Sequence, residues 1–171
     1  MKIHPRTKLN PKAGRPFLFK FDFPQGFVLV IDSNESDDPL FLPHPPKKLT
    51  SVMEKLETGD YSIRGFEDKV TIERKKIPDL LGCLGKDRER FKKEIERMKI
   101  MEWKAIVVQG SESDIYQYHD FSQMEPESVR QQIVSINIRH GVQFYFNPSR
   151  EGLERWILDH LIKFFRVKRE G

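Results

Sequence analysis

The sequence predicts an α/β protein, a mixed central β-sheet flanked by α-helices on both faces. Two short runs, residues 27–31 (Phe-Val-Leu-Val-Ile) and 105–108 (Ala-Ile-Val-Val), are apolar throughout, the mark of strands covered on both sides. A hairpin pattern of alternating residues lies between them, over 60–75. Three further segments, 86–101, 126–140 and 149–167, repeat apolar residues at helical spacing. The order is strand, hairpin, two helices, strand, helix, strand, helix, which is a layered α/β architecture. At 171 residues the chain is long enough for one buried core and too short for a second large one.

Taken in order, residues 1–26 form a basic arm. Prolines at 5, 11, 16 and 24 interrupt it, and its first twenty residues carry Lys2, Arg6, Lys8, Lys12, Arg15 and Lys20 with no acid. Phe17, Phe19, Phe21 and Phe23 alternate, so an edge strand that packs one phenylalanine face is expected there. The run at 27–31 delivers Asp32 at its end, where open α/β sheets place ligands. Residues 36–50 are rich in Asp, Pro and Lys and read as a loop over the rim, with His44 exposed. Residues 52–56 are ambiguous between turn and short strand.

After the hairpin, 77–83 reads as a short helix, with Asp79 near its start and Gly82 and Gly85 ending it. The helix over 86–101 buries Phe91, Ile95 and Met98 and exposes a mixed charged face. A helical start follows at 111–114. The next helix turns Val129, Ile133 and Ile136 inward, and a last strand over 142–146 leads to a helix with a wide apolar stripe from Leu153 to Phe165. That stripe covers the sheet, His160 packs beside it, and any surplus is a candidate dimer surface.

Thirty basic residues against twenty-six acidic ones give a net charge of +4, concentrated at the two ends, which suits a polyanionic partner. The single cysteine, Cys83, excludes an intrachain disulfide framework and a cysteine-based zinc cluster, and it is expected to be buried. No run resembles a membrane span or a signal peptide, so a cytoplasmic location is expected.

The chemistry concentrates in the hairpin. Centring its turn on Phe66 and Glu67 sets Ile63 opposite Val70 and Tyr61 opposite Ile72 on the core face. On the other face Asp60 lies across from Glu73, with Lys75 two residues on, while Arg74 points away. Directly opposed carboxylates repel unless something neutralises them. A divalent cation with oxygen ligands, Mg²⁺ or Mn²⁺, would do so. A lysine beside it suits metal-assisted hydrolysis of a phosphodiester.

Gly59, Asp60, Glu73, Arg74, Lys75 and Asp79 stand at the spacing of Gly-Asp, a β-run, then Glu-Arg-Lys-x-x-x-Asp. This resembles the signature of the XPF-type (ERCC4-like) nuclease domain, a branch of the restriction-endonuclease-like fold. The resemblance covers most of the chain from residue 28 to 165 and implies a metal-dependent endonuclease of DNA repair and recombination, acting on branched or nicked duplex DNA. It implies that Asp32, Asp60, Glu73 and the Arg74 backbone carbonyl hold one or two Mg²⁺ or Mn²⁺ ions. Lys75 would position or activate water, and Arg88, Glu35 and Asp79 would serve the substrate side. Asp32 and Glu35 match the family's Asp-x-Arg-Glu element, with Asn34 in place of its arginine. The nuclease domain is expected over 27–167 without a helix-hairpin-helix module, so the basic ends, a homodimer or a partner subunit would grip duplex DNA. Two alternatives are a non-catalytic DNA-binding or scaffold subunit and a restriction or junction-resolving nuclease on the same fold.

Overall fold

The computed structural model describes residues 20–35, 38–42 and 44–171. Their elements are β1 (Leu29–Asp32), β2 (Ser51–Glu54), β3 (Tyr61–Ile63), β4 (Val70–Lys76), α1 (Ile77–Leu84), α2 (Arg88–Lys99), β5 (Trp103–Gln109), a 3-10 turn (Glu112–Tyr116), α3 (Pro126–His140), β6 (Gln143–Phe146) and α4 (Arg150–Glu170). The six strands form one sheet in the order β2-β1-β3-β4-β5-β6. Only β3 runs against the others. The carboxyl ends of β1, β4 and β5 therefore meet at one edge, together with the start of β3.

Alternation decides which layer each strand residue joins. Tyr61, Ile63, Val70, Ile72, Ala105 and Val107 pack on one face with Leu153, Ile157, Leu161 and Phe165 of α4. Ile106 and Val108 point to the other face, where α1, α2 and α3 supply Leu80, Phe91, Ile95, Met98 and Val129. Helices thus cover both faces, as the two apolar runs require. The hairpin adopts the expected register, with Tyr61 paired to Ile72. The helix from 77 extends one residue further than expected: Gly82 lies inside α1 and Gly85 alone caps it. The ambiguous segment at 52–56 belongs to β2 as far as Glu54, an edge strand parallel to β1, and leaves the strand at 55–56. None of the described helices is long and apolar enough to cross a membrane.

The arm differs from its expectation where it is described. Residues 20–24 form no strand, and Phe17–Phe19 lie outside the described residues. Phe21 instead packs against Phe23, Phe23 stacks on Phe27, and Phe27 meets Phe165 of α4 edge-on. Arg166 bonds Asp22, and Arg169 bonds the Gln25 carbonyl; Lys168 pairs with Glu102. Three of the bases expected to hold DNA at the far end are thus engaged within the chain.

The loop after β1 is also more than a rim. Leu40 and Phe41 are fully buried, and Phe41 takes φ of 68°, which costs about 1 kcal/mol or more for a non-glycine residue. Its N–H donates to Glu154 at 2.8 Å and its ring meets Tyr61 edge-on, contacts that offset the strain.

Candidate active site at the carboxyl edge of the sheet

The turn before β3 explains the glycine of the motif. Gly59 has φ of 78°, and a Cβ there would stand 1.9 Å from Thr71 Oγ1. The Thr71 hydroxyl is held in place by its bond to the Thr58 carbonyl at 2.7 Å. This turn delivers Asp60, which ties three strands together. Its N–H donates to the Ile72 carbonyl, its own carbonyl accepts from Asp32 N–H, and its Oδ2 accepts from Arg74 N–H at 2.7 Å.

Glu73 and Lys75 leave β4 on the side of α2. The Lys75 ammonium donates to Glu73 at 2.9 Å, lies 3.2 Å from Glu94 of α2, and sits 5.4 Å over the Phe91 ring. Arg74 leaves on the opposite side, as alternation requires. Its guanidinium bonds Glu35 at 3.0 Å, the Asp38 carbonyl at 2.7 Å and Gln109 at 2.7 Å. The Arg74 and Glu35 side chains are each only 4% exposed.

These placements set the electrostatics. Burial pushes the Asp60 carboxyl well above the usual range; the Arg74 N–H pulls it back in part, and the Glu35 and Asp32 charges add to the rise. Burial and then the Asp60 charge push Glu73 up likewise. Burial alone would lower Lys75, yet Glu73 and Glu94 hold its ammonium above its ordinary value. Lys75 is therefore a fixed cation and hydrogen-bond donor at neutral pH. It does not serve as a base in this state.

The sequence-predicted residues are not all in one place. Lys75, Asp79 and Arg88 line a cleft of about 1010 Å³ between α1, α2 and the segment before α3. Glu73 is bonded to Lys75 behind that wall and Asp60 stands across from Glu73 in the hairpin register; the lining itself includes neither acid. Asp79 also accepts from Lys76 N–H to cap α1, and Arg88 opens α2 with its side chain exposed. Asp32 is turned inward, its two oxygens accepting from Asn34 and Leu56 N–H at 3.1 and 2.8 Å. Glu35 faces Arg74, away from the cleft: a buried guanidinium requires a charged partner.

Two contributors escaped the sequence reading. Glu94 lies on α2 between Phe91 and Ile95, so its neighbours in the buried stripe point to an inward acid. Gln109 shares the face of Val107 and hence of Arg74, a relation visible only once the β4 and β5 register is known.

Among the described residues no three His, Cys, Asp or Glu side chains form a ready-made metal cage. Two opposed, desolvated carboxylates with excess negative charge do fit a hard divalent ion that keeps several waters and uses one or two protein carboxylates.

The sheet, its two helical layers and the acids and lysine at its carboxyl edge define a nuclease-type α/β domain. The chain belongs to the ERCC4 domain family, whose match spans residues 31–159. Its fold is similar to that of XPF from Aeropyrum pernix, with a TM-score of 0.60 and 17% identity over 80% of this chain and 60% of that one. It is likewise similar to XPF from Aeropyrum pernix in complex with DNA, with a TM-score of 0.62 and 16% identity over 83% of this chain and 66% of that one. The chain thus spans less than two thirds of those proteins. No match was found among curated proteins.

Proposed function

We propose that this chain is a divalent-metal-dependent endonuclease that hydrolyses phosphodiester bonds in branched or nicked duplex DNA. One observation carries the reading: the hairpin register sets Asp60 across from Glu73 and puts Lys75 on the same side, bonded to Glu73 at 2.9 Å. The DNA complex of the similar XPF supports DNA as the substrate.

Asp60 and Glu73, with the Arg74 carbonyl and a remaining lone pair of Asp32, would hold Mg²⁺ or Mn²⁺. Such an ion supplies Lewis-acid polarisation of a phosphoryl oxygen and a more acidic water. The chain's own groups do the rest. Lys75, kept protonated, offers its ammonium to a phosphate oxygen or orients the attacking water. Arg88, on the cleft rim, steadies a phosphate by charge. The buried Arg74–Glu35 pair fixes the backbone of β4, and with it the N–H that holds Asp60. A second copy or a partner subunit would supply further grip on duplex DNA.

The test is cleavage of labelled single-stranded, duplex, flap, fork and four-way DNA in Mg²⁺, Mn²⁺ or EDTA, with Glu73→Gln as the control. Metal-dependent cutting that disappears in the variant is the expected result. Binding without cutting in either metal would move the assignment to a non-catalytic DNA-binding subunit. The inward-turned Asp32 carboxylate is the feature that favours this second reading.

A further inference from the structure

The segment between the 3-10 turn and α3 presents a group of rings that the proposed chemistry does not use. Tyr118 is 76% exposed, Phe121 55% and Tyr116 47%, and Phe121 forms part of the wall of the cleft that Lys75 and Arg88 line. Large rings on a surface normally shed water against something.

These rings are held in place. Ser111 and Asp114 cap the 3-10 turn reciprocally. His119 Nε2 bonds the Asp114 carbonyl at 2.7 Å; because a carbonyl only accepts, that nitrogen carries the proton. The His119 ring lies 4.7 Å from Phe121, and Ser122 N–H closes a turn on the His119 carbonyl. The hydroxyls of Tyr116 and Tyr118 donate to Glu112 and Glu125 at 3.0 and 2.7 Å. The faces are therefore pre-organised, and little ordering cost remains on binding.

We infer that Phe121 on the cleft wall, with the exposed Tyr118 three residues before it on the same loop, stacks on unpaired bases of the DNA strand that enters the cleft, so that this loop selects substrates with a single-stranded arm. The inference rests on the nuclease reading for its ligand. Charge sets the orientation. Lys86, Arg88 and Arg90 line the α1–α2 side of the cleft and suit the phosphate backbone. The opposite wall is built from Phe121, Ser122, Gln123 and Met124, which carry no charge to hold a phosphate and leave that side to the faces and edges of bases. A strand in the cleft is thus driven to turn its backbone towards α2 and its bases towards the rings. Stacking tolerates any sequence, since every base has a π-face.

The test uses the full chain in EDTA, so that binding is read without cutting. Fork DNA with a 2-aminopurine in its unpaired arm is compared with a fully paired duplex carrying the same base, using wild type, Tyr118→Ala/Phe121→Ala, Tyr118→Trp and Glu73→Gln. Expected are quenching of the probe on the fork alone and loss of that quenching in the double alanine variant. Fork affinity should fall in that variant by about tenfold or more, erasing the preference for the fork over the duplex. Tyr118→Trp should keep both signals. An alanine variant that retains quenching and fork preference overturns the platform while leaving metal-dependent cleavage intact. Quenching by Glu73→Gln, or by a wild type that cuts nothing, supports the platform even where the nuclease reading fails. A wild type that binds neither DNA overturns the platform, and the nuclease reading is then judged separately by cleavage in Mg²⁺ or Mn²⁺.

Discussion

Glu73→Gln should make the metal-free protein more stable at neutral pH, although it removes an ion pair. Glu73 is pushed up to about 8, by burial first and the Asp60 charge second, and against the pull of Lys75. Ionising a carboxyl held so far above its ordinary range costs ~5 kcal/mol if assigned to Glu73 alone. Asp60 shares the same repulsion and yields part of it, so about 2 kcal/mol remains for the single change. Glutamine mimics the neutral acid, and Lys75 keeps Glu94 at 3.2 Å.

A folded-state value above the unfolded one means that the native state holds its proton longer. The stability of the wild type is then complete below the unfolded value near pH 4 and falls as pH rises towards the folded one. Thermal unfolding in EDTA should show wild type and variant alike near pH 4. By pH 8 the variant should melt about 4–8 °C higher. Mg²⁺ should raise the wild type and leave the variant nearly unmoved. A variant less stable than wild type at pH 8 in EDTA would refute the reasoning, since the Lys75 ion pair would then outweigh burial and repulsion together.

Arg74→Ala leaves Glu35 charged and buried, and should destabilise by about 3–5 kcal/mol in urea unfolding. Arg74→Met with Glu35→Gln should recover most of that loss, and failure to recover would mean that Arg74 acts chiefly through Gln109 and the Asp38 carbonyl. Gly59→Ala should lose upwards of about 1 kcal/mol, from positive φ and the contact with Thr71 Oγ1; adding Thr71→Ala should restore part of the loss, because it removes the clashing oxygen. Lys75→Ala should abolish cleavage, and, with Glu73 and Glu94 left facing one another, its metal-free form should lose stability more steeply with rising pH than wild type. Cleavage by that variant at the wild-type rate would remove Lys75 from the chemistry.

How much could be read in advance depends on the range of the interaction. The hairpin register follows from alternation and turn position, both local, and it sets Asp60 across from Glu73 without knowledge of any other element. The α2 stripe of Phe91, Ile95 and Met98 is local in the same sense. The fate of Asp32 and Glu35 is not. Asp32 is captured by an amide of Leu56, 24 residues on, and Glu35 by a guanidinium 39 residues on. Identical carboxylates can coordinate, cap or pair, and only the fold chooses between these. The phenylalanine alternation at 17–23 indicates packed rings, and Phe21 and Phe23 are packed. It cannot say whether a sheet edge or a helix receives them; here α4 does, through Phe27 and Phe165.

The loop after β1 also bears on the order of assembly. Its anchors, Glu154 for the Phe41 N–H and Arg150 for the carbonyls of Pro39 and Leu42, lie more than a hundred residues downstream. Closing so long a loop carries an entropic cost that local contacts cannot offset in advance. The β1–β2 crossover, and the Asp38 carbonyl that steadies Arg74, therefore reach their final form only when α4 docks. A nascent chain can build the hairpin early, but the edge that carries the candidate site is completed only by α4, more than a hundred residues further along the chain.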